Sequence, residues 1–578
     1  MNFPDMNVSG KLLRSMKGAT PARSGYLQID FSQLWERCRD PSVLVQIRFL
    51  LLCLYPFLIT SALATTEHNT LLAIGRLGIA AIYNIVFFLI VLSVLRLSGP
   101  RISFWAQTSL LIFLAMFTLV SIAHFLLFAQ LLGLPSVYAI IDTTPGEASE
   151  FFSLTIRLDY LAIALLLASP LLWAILRPQP LPPLKVRWRA AAMVGAIILL
   201  AGYSMVSVLQ PYLYMNNPVL LIGQTVRKAI QEKQTVQRLY ETMPAPRLAS
   251  QLVDRKPVTH VLVIGESTTS RHMSLYGYGR KTTPILDNLK PDLEIVSDAC
   301  SSRTTTIAQL KELLTFATRE DHGPLFKSPS LVQLAKSAGF KSYWLSNQQM
   351  IGTWDTWSAV FSKPADVRIF LDRRGGFEGA SDDGKLLPFL REALTDSAGQ
   401  RFIVLHLMGT HAYYDLRYPR EFAQFNDHQG VDPRVLQRGG WYTTRYNQYD
   451  NAVLYNDYIL GEIIDLVKTV ERATLTYVSD HGEVLGETSS TTTHWEGNMP
   501  RQGYEIPLLF YLTPTLKAEL GERLNVFRRN LAVPMQTDRL IHTLLDLYDI
   551  PDEEWRPERS IFSPDFSATP RHCDKQPE

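Results

Sequence analysis

The chain has few cysteines and little charge. Its 578 residues include four widely separated cysteines, Cys38, Cys53, Cys300 and Cys573, which excludes a dense disulfide scaffold and a cysteine-rich zinc module. Charged residues make up only 19% of the chain, and the formal net charge is +2. This composition is not that of a disordered protein, and it provides no overall cationic field for nucleic acid. We therefore expect a folded protein without a nucleic-acid partner.

Long runs without charge are concentrated in the first half of the chain. They cover residues 49–66, 77–95, a stretch within 102–141, 160–176, and a run that begins at Ala190. A helix needs about 20 apolar residues to cross the hydrocarbon core of a bilayer. One such run is compatible with a buried core helix, but five in succession predict a transmembrane domain of five helices over residues 44–209.

The distribution of lysine and arginine predicts how these helices are oriented. If residues 1–43 are cytoplasmic, only Arg76 and Arg157 lie at the outer ends of the helices. Thirteen basic residues then lie on the cytoplasmic side: Lys11, Arg14, Lys17, Arg23, Arg37, Arg39, Arg48, Arg96, Arg101, Arg177, Lys185, Arg187 and Arg189. Because positive residues are retained on the cytoplasmic side, everything after the fifth helix is expected on the far side of the membrane.

The second half of the chain has the pattern of a soluble α/β domain. Residues 210–255 open with aromatic and apolar residues, which favours an interfacial connector in the headgroup zone, although a plain spacer stays open. From residue 256 to 578, short β-branched or apolar runs at 259–267, 401–411, 473–483 and 503–512 alternate with helical patterns. This alternation predicts a mostly parallel sheet with helices on both faces.

Polar residues of metal-binding type follow three of the predicted strands. Glu266 follows one strand, His411 a second, and Asp480 with His481 a third. In parallel α/β sheets, ligands gather beyond the carboxyl ends of the strands. Carboxylates combined with an imidazole suit zinc or manganese, so we expect a metal site at this edge of the sheet.

Four strings carry a family resemblance. VLVIGESTTSRHMSLYGYGRKTTPILD, CSSRTTTIAQLKELLTFA, HLMGTHAYYDLRYP and SDHGE occur in this order along the chain. Together they resemble the phosphoethanolamine transferases of the alkaline-phosphatase and sulfatase-like superfamily, above all the CptA/EptC type that modifies the lipopolysaccharide core. The resemblance covers the whole chain. It implies a multi-pass protein of the bacterial inner membrane, with a cytoplasmic N-terminus and an alkaline-phosphatase-like catalytic domain in the periplasm.

The resemblance also implies a nucleophile. In that family, a threonine in a threonine-rich turn attacks the substrate and contributes to a zinc site. Here the turn spans residues 303–307, and Ile307 and Leu310 occupy the apolar positions that point to Thr306 as the nucleophile. Thr304 and Thr305 stay open as alternatives.

The resemblance further implies a zinc site and two histidines beside it. The metal ligands would be Glu266, Thr306, Asp480 and His481, holding one or two Zn²⁺ ions. His411 and His494 match two further histidines that contact the phosphoryl group or a second zinc and serve in catalysis. Coordination to zinc would lower the pKa of the threonine hydroxyl, as it does for water.

The implied reaction is a two-step transfer. Phosphatidylethanolamine would donate phosphoethanolamine to the threonine, and lipopolysaccharide, at a core sugar such as heptose, would accept it. A lipid A phosphoethanolamine transferase, a related envelope glycan phosphotransferase or hydrolase, and an inactive scaffold are the alternatives.

The lipid A branch has several disulfides, whereas only Cys300 and Cys573 follow the membrane domain here, and whether they pair is left open. Asp382 and Asp383 are interpreted as a solvated turn.

Overall fold

The architecture is that of a computed structural model of the chain. It describes residues 40–64, 71–128, 158–209, 256–348, 357–371, 382–412, 414–488, 492–494 and 499–576, together with isolated positions between 217 and 244. Most of the predicted cytoplasmic segment and most of the predicted connector lie outside the described residues.

Five helices form the membrane part. They are α1 (Pro41–Ala64), α2 (Leu71–Leu97), α3 (Pro100–Phe128), α4 (Leu158–Leu176) and α5 (Val186–Leu209). Each contains a segment of at least 18 residues that is long and apolar enough to cross a membrane. The prediction of five apolar helices in the first half is therefore confirmed.

Two described positions of the connector contact the two halves of the chain. The side-chain amide of Asn217 donates a 2.9 Å hydrogen bond to the side-chain oxygen of Asn84 in α2, and both side chains are fully buried. Farther along, the Pro244 carbonyl accepts a 2.6 Å hydrogen bond from the side chain of Gln333 in the soluble domain. The connector is thus attached to both parts that it joins.

A seven-stranded sheet forms the centre of the soluble domain. Its strands have the spatial order β2-β9-β7-β1-β6-β4-β5. The neighbouring pairs among β7, β1, β6, β4 and β5 are parallel, whereas β9 runs antiparallel to both β7 and β2. A second sheet has the order β10-β3-β8. The strands are β1 (Val258–Gly265), β2 (Leu293–Ile295), β3 (Ala299–Cys300), β4 (Lys341–Ser346), β5 (Val367–Phe370), β6 (Gln400–His406), β7 (Ala473–Ser479), β8 (Glu505–Ile506), β9 (Leu508–Leu512) and β10 (Met535–Gln536).

Helices cover both faces of the large sheet, as predicted. They are α6 (Pro284–Leu289), α7 (Thr306–Leu313), α8 (Pro324–Lys327), α9 (Leu331–Ser337), α10 (Trp357–Ser362), α11 (Leu387–Thr395), α12 (Pro433–Arg438), α13 (Gly440–Lys468), α14 (Pro514–Leu520), α15 (Glu522–Asn530) and α16 (Leu540–Leu547). Because side chains alternate along a strand, Leu262 and Ile264 of β1 join the core that includes α9 and α16. Val261 and Val263 join the opposite core, which includes α11 and α13.

A disulfide ties the C-terminal segment to the start of the threonine-rich turn. Cys300 at the end of β3 is bonded to Cys573, and both are fully buried. The sequence left this pairing open, because pairing depends on the distance between residues 273 positions apart. The bond fixes the chain six residues before Thr306.

Candidate metal centre and catalytic site

The turn after β1 positions Glu266. Ser267, the next residue, has a φ of 57°, a left-handed conformation that is uncommon for residues other than glycine. Its backbone N–H donates to Asp480 Oδ1 at 2.9 Å, and its hydroxyl donates to Glu266 Oε1 at 2.9 Å. The bond to Asp480 holds the turn against the end of β7, and the two bonds together compensate for its strained backbone.

The end of the neighbouring strand β7 supplies Asp480 and His481. Because β1 and β7 are parallel and paired through Gly265 and Ser479, the residues that follow them lie side by side. His481 Nε2 is 3.4 Å from Glu266 Oε1 and 3.5 Å from Asp480 Oδ2. One ligand atom from each of Glu266, Asp480 and His481 lies within 4.8 Å of the other two, and all three side chains are buried.

Thr306 reaches this cluster from the first residue of α7. Its hydroxyl lies 3.0 Å from Glu266 Oε2 and 3.1 Å from Oε1. The helix begins after Thr305, which is in an extended conformation, and Thr304 is fully buried. The structure thus brings together all four residues of the expected metal site.

The electrostatics of the cluster fit a divalent cation. Burial and then the nearby charge of Glu266 raise the pKa of Asp480 to about 8. Burial acts against the charged form of His481, yet Asp480 and Glu266 together raise its pKa to about 10. For Glu266, the effect of burial is outweighed by its electrostatic interaction with the nearby His481, which lowers its pKa. Two acidic groups are thus crowded in a buried space with one positive charge between them.

Two ligand-type atoms in the cluster have no hydrogen-bond partner among the described residues. They are Asp480 Oδ2 and His481 Nε2, both buried. An unsatisfied buried polar atom is costly, and a metal ion is one way to satisfy several at once. A carboxylate, a second carboxylate, an imidazole and a hydroxyl form a mixed oxygen and nitrogen set that suits zinc. The residues present therefore fit the ion that the sequence predicts.

The two further histidines lie beside the cluster. The ring centroid of His494 is 4.1 Å from that of His481 and 6.4 Å from that of His411. His494 Nδ1 lies 3.2 Å from a carboxylate oxygen of Glu483, which is fully buried. His411 is partly buried in the loop after β6, and burial lowers its pKa to about 4. Both predicted histidines are thus adjacent to the four-residue cluster.

Supporting residues around the cluster were not predicted from the sequence. Gln348 Nε2 donates to Glu266 Oε2 at 3.2 Å and to the Leu407 carbonyl at 3.0 Å. Gln348 follows β4 at the same sheet edge, so its position after a strand was the available signal. Gly409 has a φ of +50°, and a Cβ there would lie 2.9 Å from the backbone of Glu266. Only glycine fits this close approach.

The interpretation of Asp383 as part of a solvated turn is wrong. Its side chain is only 5% exposed, and burial raises its pKa. It accepts hydrogen bonds from the backbone N–H groups of Met408 and Gly409 and from Asn347 Nδ2, at 2.8 to 2.9 Å. Asp383 is therefore a buried support for the loop that carries His411.

A second buried network stabilises the turn that follows Glu266. His272 Nδ1 lies 2.6 Å from Asp450 Oδ1, and its Nε2 lies 2.9 Å from Glu487 Oε1. Burial disfavours the charged imidazole, but Asp450 and Glu487 outweigh this effect and raise the pKa of His272 to about 9. Arg280 Nη1 also bonds to Asp450, at 2.7 Å. The network joins the segment after β1 to α13 and to the segment after β7.

The stability that His272 contributes should depend on pH. Because its folded pKa is raised, this stability is fully present below the unfolded value near 6.5 and is lost as pH rises through about 9. The difference amounts to about 3 kcal/mol at most. In thermal unfolding, His272→Gln should therefore melt well below wild type at pH 6, and the gap should narrow toward pH 9.5. The exposed His428 provides the control variant, His428→Gln. A gap for His272→Gln that stays constant across this range would contradict a protonated His272.

Comparisons with known proteins agree with this geometry. Residues 259–550 match the Sulfatase family. Phosphoethanolamine transferase EptC of Escherichia coli strain K12 is 30% identical over 486 residues, covering 78% of this chain and 82% of that protein. Phosphoethanolamine transferase CptA of Salmonella typhimurium strain LT2 is 31% identical over 476 residues, with the same coverage.

Two solved structures are similar to this one. The C-terminal periplasmic domain of EptC from Escherichia coli, crystallised as a complex with Zn, is 33% identical, with a TM-score of 0.53, and covers 56% of this chain and 92% of that one. The integral membrane protein lipooligosaccharide phosphoethanolamine transferase A from Neisseria meningitidis has a TM-score of 0.64 at 20% identity, and covers 89% of this chain and 98% of that one. The second likeness supports the fold of the whole chain.

Fold and site together define a membrane protein with a catalytic domain of the sulfatase class. Within that class, the length and identity of the matches are decisive, since they extend through most of the chain and not only the soluble domain. The chain belongs to the phosphoethanolamine transferase family. The resemblance seen in the sequence strings is thereby confirmed.

Proposed function

We propose that this protein transfers phosphoethanolamine from phosphatidylethanolamine to lipopolysaccharide, at a core sugar such as heptose, through a covalent phosphoethanolamine–Thr306 intermediate. One observation carries the proposal: the Thr306 hydroxyl lies within 3.1 Å of both carboxylate oxygens of Glu266, at the edge of the buried cluster. The relatives named EptC and CptA support a transferase. The acceptor in the lipopolysaccharide core is the one that the family resemblance of the sequence implies.

The proposed cofactor is zinc, held by Glu266, Thr306, Asp480 and His481. The EptC periplasmic domain was solved as a complex with Zn, and the donor set described above fits that ion. When bound, zinc would favour the ionised form of the Thr306 hydroxyl and offset the negative charge that develops on the phosphoryl group.

In the first half-reaction, the Thr306 oxygen forms a bond to phosphorus and the bond from phosphorus to the diacylglycerol oxygen breaks. Glu266 accepts the hydrogen bond of the Thr306 hydroxyl and so orients its oxygen, and the hydroxyl proton is lost to solvent before the oxygen attacks. Thr306 is also the first residue of α7, and free backbone N–H groups at a helix start favour a phosphoryl group. The leaving oxygen must gain a proton.

We assign that proton to His494. Glu483 engages Nδ1 of His494, so Nε2 remains available for the substrate. In the second half-reaction, the same nitrogen takes the proton of the acceptor hydroxyl, whose oxygen then displaces Thr306 from phosphorus. His411, kept neutral by its buried surroundings, would donate a hydrogen bond to a phosphoryl oxygen.

A lipid donor explains why the catalytic domain is joined to membrane helices. The proposed location is the bacterial inner membrane, with the N-terminus in the cytoplasm and the catalytic domain in the periplasm. The basic residues near the helix ends support this orientation. An interfacial connector would keep the cluster near the surface from which phosphatidylethanolamine is taken.

Reporter fusions should give a defined topology. A reporter that works only in the cytoplasm should be active when fused after Arg187 and inactive when fused after Arg255. A reporter that works only in the periplasm should show the opposite pattern. The physical reason is the thirteen-to-two bias of basic residues toward one side. Alkaline phosphatase and green fluorescent protein fusions would measure it in parallel. The reverse pattern would overturn the proposed orientation.

The covalent intermediate can be tested directly. Purified zinc-loaded protein would be incubated with phosphatidylethanolamine without an acceptor and then analysed by peptide mass spectrometry. We expect a phosphoethanolamine adduct on the peptide that contains Thr306, and its absence in the Thr306→Ala variant treated in the same way. An adduct on Thr304 or Thr305 would identify that residue as the nucleophile instead. An unmodified zinc-loaded protein would argue against phosphatidylethanolamine as the donor.

A further inference from the structure

Arg445 is an arginine whose guanidinium is held by aromatic rings. On α13, its guanidinium carbon lies 4.8 Å from the ring centroid of Tyr414 and 5.3 Å from that of Trp441. Its Nε atom is buried without a hydrogen-bond partner among the described residues. Neighbouring arginines differ: Arg438 donates to the Gly486 carbonyl, and Arg434 is paired with Asp432.

This guanidinium lies close to the loops that carry the two catalytic histidines. Tyr414 is fully buried and follows His411 by three residues. Its hydroxyl donates to the Thr492 carbonyl at 3.4 Å, two residues before His494. Arg445 is therefore separated from both histidine loops by a single aromatic ring. Trp441, one helical turn before Arg445, is 41% exposed.

The chemistry of Arg445 and Trp441 fits a charged sugar as their ligand. A guanidinium stacked on aromatic rings keeps its N–H fork free for the two oxygens of a phosphate or carboxylate. An exposed tryptophan beside it offers an apolar face to a sugar ring. The donor also carries an anion, its phosphodiester, but that group must lie at Thr306 to react, and the ammonium group at the end of the donor headgroup is repelled by a guanidinium. These features favour the acceptor over the donor as the ligand.

We propose that Arg445 and Trp441 form an acceptor subsite that binds an anionic group, phosphate or carboxylate, on the saccharide that receives phosphoethanolamine. The proposal rests on the proposed function, because it names the acceptor side of the same catalytic site. Arg445 provides the anion contact and Trp441 the sugar contact, whereas Thr306 and its neighbours carry out the transfer.

The test compares acceptors that share the reacting hydroxyl. Three sugar acceptors would be used: one with a phosphate, one with a carboxylate and one with neither. In the full-length enzyme, the Arg445→Met variant removes the charge but keeps most of the stem. We expect KM for the preferred anionic acceptor to rise roughly tenfold or more, since charged hydrogen bonds are strong. KM for the uncharged acceptor and kcat should stay within about twofold.

Controls separate this subsite from general electrostatics and from the donor reaction. Arg434→Gln removes one positive charge from the preceding helix α12, and its KM values should match wild type. Arg445→Lys keeps the positive charge but not the paired N–H groups of the guanidinium. Its KM for the anionic acceptor should lie between those of wild type and Arg445→Met. Formation of the Thr306 adduct from phosphatidylethanolamine should be unchanged in Arg445→Met. If wild-type protein formed no adduct, the proposed function would fail, and the subsite would not be the cause.

The remaining outcomes decide the proposal. If the phosphate acceptor alone loses affinity, the ligand is a phosphate, and if the carboxylate acceptor alone does so, it is an acidic sugar. Equal effects on all three acceptors, or an unchanged KM for both anionic ones, would overturn the subsite. So would variants that unfold or lose the adduct, because Arg445 would then serve to pack Tyr414.

Discussion

Replacing Thr306 with alanine should reduce phosphoethanolamine transfer by roughly 10⁴-fold or more, the scale at which enzymes lose rate when a nucleophile is removed. The side chain that is lost is the one whose hydroxyl contacts both oxygens of Glu266. Alanine is a good helix former, and Thr306 is the first residue of α7, so fold and membrane insertion should be preserved. Transfer to lipopolysaccharide in reconstituted membranes would measure the effect.

Two neighbouring threonines provide matched controls for this variant. Thr304→Ala and Thr305→Ala each remove a threonine hydroxyl from the same turn. Each variant should retain transfer within about tenfold of wild type. Full activity of Thr306→Ala together with loss in one of the controls would transfer the nucleophile to that residue. Equal loss in all three would indicate that the turn itself is damaged, which thermal melting would detect.

The main features of the fold could be predicted from the sequence for physical reasons. Five apolar runs, each about as long as a helix that crosses the hydrocarbon core, can avoid water together only in a membrane. The strands of the soluble domain are recognisable because those of a parallel sheet are buried on both faces, so their sequences are continuous apolar runs. The alternation of Val261 and Val263 with Leu262 and Ile264 between two cores follows from the geometry of a buried strand.

The candidate site was predictable only in part. Glu266, Asp480 and His481 follow strands, so position alone marks them. Thr306 follows no strand of the large sheet, and its role rested on resemblance. Asp383 was misread because the contacts that bury it come from Asn347 and from the Met408–Gly409 backbone, far along the chain. The same reason left the Cys300–Cys573 pair open: long-range contacts depend on the folded topology, which local patterns do not contain.

The second large effect concerns the metal ligands. Glu266→Gln removes a charged ligand from the centre and should abolish stable zinc binding and lower transfer by roughly 10³-fold or more. Glu312 gives a matched control: it is equally buried but is paired with Arg303, at 2.7 Å. Glu312→Gln should retain zinc. Metal content of the purified proteins and transfer activity would be measured side by side, and a zinc-loaded Glu266→Gln protein would contradict the assignment.

The protonation of the metal-free centre sharpens this expectation. With the pKa of Asp480 raised to about 8 and that of His481 to about 10, both groups hold a proton at neutral pH. Glu266, whose pKa is lowered, is already ionised. A cation must displace those protons to reach its ligands. Zinc binding to wild-type protein should therefore release protons, and its affinity should weaken as pH falls below about 10 and more steeply below about 8. Calorimetry in buffers of different ionisation enthalpy would measure the release. Binding without proton release would mean that zinc is held by residues other than Asp480 and His481.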